Sequence, residues 1–127
     1  MSPSDLDALF AEASALYDRN ELNAAEAGFE RVLAADSAHI QARYKLGNVL
    51  KEQGRLDEAT AQYGKLLGRD PRHAETLNNL GAIYQQLELP GAAETFYWQA
   101  IHYKPELAPP YINLGRILQQ QERFKEA

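Results

Sequence analysis

The sequence predicts an all-α fold built from antiparallel helix pairs. Three observations lead there. Leu-Gly recurs as Leu46-Gly47, Leu80-Gly81 and Leu114-Gly115, so the glycines stand 34 residues apart. Other positions keep the same interval: Ala25, Ala59, Ala93 and Ala127; Phe29, Tyr63 and Tyr97; Pro71 and Pro105, with Ser37 in the earlier place. Within each unit the apolar residues fall three and four apart, in two stripes divided by a short break. Self-similarity at a fixed period is the signature of a repeat architecture.

With the glycine at position 8, one array over residues 1–127 divides into repeats 6–39, 40–73 and 74–107 and a partial repeat 108–127. The first repeat departs most, with Glu12 for Leu, Ala13 for Gly and Ser37 for Pro. A terminal repeat is often atypical because its outer face meets water. In the second, Gly54 suits the end of the first helix and Pro71 stops the second. In the third, the first stripe is Thr76, Leu77, Leu80, Gly81, Ile83 and Tyr84, and the second is Ala93, Tyr97, Ala100 and Ile101. Pro90 fits the first turn of that second helix, where its missing N–H is not needed. The glycine at position 8 and the alanine at position 20 are expected to face each other and let two helices approach. Tyr97 is expected in the core, with Phe96 and Trp98 pointing away from the first helix, toward the next repeat or solvent. In the partial repeat, Tyr111, Leu114, Ile117 and Leu118 form one helix. "ERFKEA" is expected to begin a second that cannot complete, leaving an uncapped end that contacts another copy of the chain.

Composition bounds the function. Apolar residues make up 45% of the 127, enough for a core. The net charge of −5 argues against nucleic acid, where a basic stripe is expected. The absence of cysteine excludes disulfides, thiolate metal sites and Cys nucleophiles. The acidic start does not read as a signal peptide, and no apolar run approaches membrane-spanning length. These readings predict a cytoplasmic protein with neither membrane nor nucleic acid as partner. Nothing resembles a phosphate loop, a triad or paired catalytic carboxylates, so no catalytic residue and no cofactor are expected. His39 and His73 share position 34 beside the turn between repeats, and His102 is alone on a second helix. No metal is expected of them, since a site needs three or four converging ligands.

The pattern resembles the tetratricopeptide repeat family: a Trp-like residue, Leu-Gly, Tyr, then Ala, Phe and Pro at set offsets. The third repeat reads Leu77, Leu80-Gly81, Tyr84, Ala93, Tyr97, Pro105; the second reads Arg43, Leu46-Gly47, Leu50, Ala59, Tyr63, Pro71. The resemblance implies a right-handed helical solenoid with the first helix of each repeat on the concave wall. Positions 2, 5, 6, 9, 12 and 13 would line that wall, and the peptide-binding candidates there are Gln41, Tyr44, Lys45, Asn48, Glu75, Asn78, Asn79, Gln86, Asn113 and Arg116. Amide side chains both donate and accept, so they can pair with any extended backbone. Asn79 and Asn113, both at position 6, would form a short asparagine ladder. In this the chain is similar to the repeat array of O-linked N-acetylglucosamine transferase and its relatives, although Lys45 and Ala11 interrupt the series. The family's dicarboxylate clamp for chaperone tails fits poorly: Asn48 and Asn79 match, but Tyr44, Pro109 and Asn113 stand where its three cations should be.

The resemblance thus implies a protein-protein interaction module that binds an extended peptide or partner protein and is not itself an enzyme. Two alternatives are a substrate-recruiting region of a larger glycosyltransferase or methyltransferase, and a scaffold that assembles with copies of itself.

Overall fold

A computed structural model describes residues 1–126. Those residues form seven α-helices: α1 Pro3–Asp18, α2 Leu22–Ala35, α3 Ile40–Glu52, α4 Leu56–Arg69, α5 Ala74–Gln86, α6 Pro90–Tyr103 and α7 Pro109–Glu126. The fold class is all-α, of the helical-repeat kind. Ala127, the last member of the alanine series, lies outside the described residues. The chain falls into two compact units, Met1–Pro71 and a second that starts at Arg72.

Each helix begins and ends for a local reason. Ser2 caps α1 with a reciprocal pair: its hydroxyl accepts from the Asp5 N–H at 3.2 Å, and the Asp5 carboxylate accepts from the Ser2 N–H at 3.1 Å. The Ser2 hydroxyl donating to the Asp5 carboxylate at 2.8 Å, and then the Ser2 N–H, favour the charged form and hold Asp5 below its ordinary pKa. Pro90 opens α6. The first helices of the three full pairs end alike. Arg55 N–H reaches back to Leu50 O and Gly54 N–H to Lys51 O, with Gly54 at φ +78°. This is the Schellman arrangement. Asn20 and Glu88 occupy the same place 34 residues to either side, each at φ 62° with the same two bonds. The sequence points to this turn only at Gly54.

In the first unit α1 packs on α2, α2 on α3 and α3 on α4. Phe29, Val32, Val49, Tyr63 and Leu66 are fully buried there. In the second unit α5 packs on α6 and α6 on α7, around Ala93, Tyr97, Leu114 and Ile117.

The expected glycine–alanine contact is corrected by the structure. What lies over the glycine is the tyrosine four residues after the alanine. A Cβ at Gly81 would meet Tyr97 Cε1 at 2.5 Å, and one at Gly47 would come closer still to Tyr63. The first pair reverses the arrangement. Ala13 stands at the glycine position, and the small residue is Gly28 of α2, whose added Cβ would lie 2.7 Å from that of Ala13. Phe96 also differs from expectation. Instead of turning away from the first helix it stacks on Tyr84 of α5, centroids 5.3 Å apart, while Trp98 is 54% exposed. Finally, "ERFKEA" does not start a second helix: the described residues of that stretch continue α7. Glu122 takes the place that Gly54 has in the second repeat, and "QQQERFKE" contains no Gly or Pro to break the run.

Two predictions follow from this packing. Helix propensity alone would make Gly→Ala stabilising by about 1 kcal/mol. At Gly81 the buried Tyr97 ring opposes it, and overpacking costs about 1–3 kcal/mol. Gly115 holds the same register with nothing within 4 Å. Thermal melts should therefore show Gly81→Ala lowered and Gly115→Ala unchanged or raised; equal shifts would refute the steric role. Glu88→Gly should raise the melting temperature by a few degrees. An L-residue in the left-handed region costs about 1–2 kcal/mol, and the entropy glycine adds to the unfolded chain returns only about 0.4–1 kcal/mol. A lower melting temperature would reject that account.

Candidate binding faces of the first helices

In the first unit α1 touches α3 directly. Lys45 Nζ stands 5.4 Å from the Phe10 ring centroid and donates to Ser14 Oγ at 3.3 Å. Tyr17 donates its hydroxyl to Glu52 at 3.0 Å. Burial, then the Glu52 hydrogen bond and charge, push the Tyr17 phenol well above its ordinary pKa. Gln41 is exposed and Tyr44 half-buried, its ring tilted against that of Tyr63, 6.4 Å away. Asn48 Oδ1 accepts the Tyr63 hydroxyl. That amide is therefore engaged by the core side of its own helix pair.

In the second unit α5 touches α7. The asparagines are linked, but not by the expected pairing of Asn79 with Asn113. Asn113 Nδ2 donates to Asn78 Oδ1 at 3.2 Å, and Asn78 Nδ2 donates to Asn79 Oδ1 at 3.4 Å. Arg116 donates to Asn113 Oδ1 at 3.4 Å. The line thus runs Arg116, Asn113, Asn78, Asn79. Asn78 is only 9% exposed, so its amide is held where leaving it unpaired would be costly. Position 6 of one repeat meets position 5 of the repeat before, and Lys45 over Phe10 shows the same offset. Glu75 pairs with Lys104 at 3.6 Å, and Gln86 is exposed at the end of α5. Gln85 Oε1 accepts the Tyr97 hydroxyl. Burial pushes the Tyr97 phenol up to about 12, against the opposing effect of Arg116.

Two further residues position these faces without having been read as doing so. His39 caps α3: its Nδ1 accepts from the Ala42 N–H at 3.0 Å. His73 caps α5: its Nδ1 accepts from the Thr76 N–H at 3.3 Å and lies 2.8 Å from Thr76 Oγ1. Histidine is not among the usual capping residues, so the signal lay in its recurrence one period later. Arg43 fills the Trp-like position with its stem. Its guanidinium donates to Gln62 Oε1 at 2.7 Å and to Ser37 O at 2.9 Å. No group of three or more His, Asp or Glu side chains able to hold a metal occurs among the described residues. No helix among them is long and apolar enough to cross a membrane.

Three repeat-family models match this chain. One described as TPR repeat covers residues 47–88, and two described as tetratricopeptide repeat cover 10–63 and 74–107. The chain belongs to the tetratricopeptide repeat family. Among solved structures it is similar to MamA, at TM-score 0.74 and 25% identity over 80% of this chain and 59% of that one. It is similar to YrrB, a TPR protein with an unusual peptide-binding site, at TM-score 0.78 and 24% identity, over 84% of this chain and 55% of that one. The first TPR of Spaghetti, bound to the HSP90 peptide SRMEEVD, matches at TM-score 0.86 and 11% identity, over 96% and 97% of the two chains. This chain thus spans little more than half the length of MamA and YrrB. No curated protein matches it.

The histidine caps yield a direct test. Removing a side-chain cap costs about 0.5–2 kcal/mol. His73→Ala should lower the unfolding free energy from urea titration by that amount, with a lower midpoint, and His73→Asp, a better cap, should keep or raise both. Equal midpoints for all three chains would show that the cap contributes nothing.

Proposed function

We propose that this chain is a protein-interaction module. It takes an extended peptide or partner segment along the polar faces of its first helices, in the cytoplasm, and carries no chemistry of its own. The observation that supports this most is the line of side-chain amides on α5 and α7. A side-chain amide has two N–H groups and two acceptor lone pairs, so one engaged within the protein can still meet a ligand backbone. In the first unit Gln41 and Lys45 on α3, and in the second Gln86 and Arg116, would add contacts of their own. Tyr44, Asn48 and Glu75 complete the proposed set. The peptide-binding site of YrrB and the HSP90 peptide bound to Spaghetti, on folds of this class, agree with such a role. A chaperone-tail carboxylate is a poor candidate, because Tyr44, Pro109 and Asn113 stand where the cations of that clamp belong. The same faces would serve an array that recruits substrates to an attached enzyme.

The exposed apolar stripe of α7 favours a second role, contact between copies of the chain. Tyr111 is 47% and Leu118 53% exposed.

For the first role, the 127-residue chain used as bait should capture a partner that mass spectrometry identifies. The Asn79→Ala, Asn113→Ala double variant should then bind that partner more weakly, by about 0.5–1.5 kcal/mol for each neutral hydrogen bond lost. A melt of the variant controls for the Asn78 amide it leaves short of a donor. Unchanged affinity with an unchanged melt would sink the amide reading.

A further inference from the structure

We propose that the face formed by α1 and α3 binds a carboxylate of its ligand, with the Lys45 ammonium as the group that receives it. This rests on the peptide-binding reading above and names the ligand chemistry for the first unit. Lys45 is half-buried. Its ammonium stands over the Phe10 ring and donates to Ser14 Oγ. Both neighbours are neutral. A lysine ammonium has three N–H donors, so one hydroxyl and one ring face leave it able to meet a further acceptor.

The surroundings supply no counter-ion. The residues one turn away on α3 are Gln41, Ala42, Asn48 and Val49, none of them charged. Among the described residues Lys45 takes part in no ion pair, whereas Arg19, Arg55, Lys104 and Lys125 each stand beside a carboxylate. The acids that share the face, Asp7 and Asp18 on α1 and Glu52 on α3, make none with it, and Glu52 accepts the Tyr17 hydroxyl instead. A cation partly withdrawn from water gains more from an opposite charge than a fully hydrated one does.

The cation is also held in place. Phe10 packs on Phe29 with ring centroids 6.0 Å apart and on His39 at 4.8 Å. The ring under the ammonium is therefore fixed from α2 and from the start of α3. The lysine stem can lie on apolar surface while its charged head stays toward the groove. A compact ammonium acts as a point charge, which suits one carboxylate and does not demand the paired geometry of a guanidinium. The charge-assisted N–H···O bond so formed is stronger than any bond between two neutral groups of the kind the amides offer.

The test is selection of random peptides, displayed with a free and with a blocked C-terminus, on the 127-residue chain. Selected peptides should be enriched in Asp or Glu, or should require the free C-terminus; the two results tell a side-chain carboxylate from a terminal one. A synthetic copy of a selected peptide is then titrated by fluorescence anisotropy. Lys45→Met keeps an apolar stem over Phe10 and should bind the peptide roughly tenfold or more weakly, the loss expected for a hydrogen bond to a charged group. Lys65→Met removes the same charge from an exposed site on α4 and should bind like the wild type. Circular dichroism checks that both variants fold. Replacing the peptide's carboxylate by an amide should weaken binding to the wild type by as much, and binding to Lys45→Met little further. The wild-type comparison decides even where a variant fails to fold: equal affinity for acid and amide overturns the proposal. Peptides that show no acid preference, or that bind a folded Lys45→Met as tightly as the wild type, overturn it while peptide binding stands. If neither library yields a binder, both readings fall.

Discussion

The contact of a tyrosine ring with a helical glycine is the constraint on which the repeat depends. Tyr63 lies on Gly47 and Tyr97 on Gly81, with no room for even one methyl group between ring and backbone. Both rings are fully buried, yet each hydroxyl reaches the polar side of the first helix, at Asn48 and at Gln85. A buried tyrosine needs a partner for its hydroxyl. One side chain thus sets the distance between two helices and also holds an amide of the first helix. Core packing and the candidate binding face are consequently not independent. A larger residue at the glycine would displace the ring, and with it the group that orients Asn48 or Gln85.

The first pair solves the same problem by other means. Its close approach lies between Ala13 and Gly28, and Phe29 sits where the later pairs have tyrosine. Phenylalanine brings no hydroxyl to grip the first helix. The polar face of α1 is held from the next repeat instead, by Lys45 on Ser14 and by Tyr17 on Glu52. The small residue on α2, Gly28, lines the seam along Leu9 and Leu16.

How much of this could be read from the sequence differs by level. The 34-residue phase, the helix pairs and the buried positions Ala59, Tyr63, Ala93 and Tyr97 follow from recurrence, because each repeat must place the same volume in the same core. Recurrence does not give the direction of a side chain around its helix. That is why the partner of Gly81 was misassigned by one turn, from Ala93 to Tyr97, and why Phe96 was turned outward although it stacks on Tyr84. Turn geometry was visible at Gly54, where residue type reports φ, and hidden at Asn20 and Glu88, where only the hydrogen bonds do. The candidate site divides in the same way. Which residues share a face of the first helix follows from helical spacing. The offset of one position that carries Asn113 to Asn78 depends on how successive helices are staggered, and no residue type encodes it.

That offset bears on what the amides could recognise. Asn78 is buried, and Asn113 receives Arg116 while giving a proton to Asn78, so part of each amide is spent within the protein. An amide held on one side presents its remaining lone pair or N–H in a fixed direction. Preorganisation of that kind reduces the side-chain entropy lost when a ligand binds. It also restricts the ligand. A line of fixed donors and acceptors suits a regularly spaced partner such as an extended backbone, whose own N–H and C=O groups alternate along the chain. A compact folded surface offers no such alternation. The mixed charge around the line, with Glu75 tied to Lys104 and Arg116 at its end, sets no strong sign for the partner's side chains. On the proposed reading, selectivity on these faces would fall to the extended form of the ligand more than to its charge.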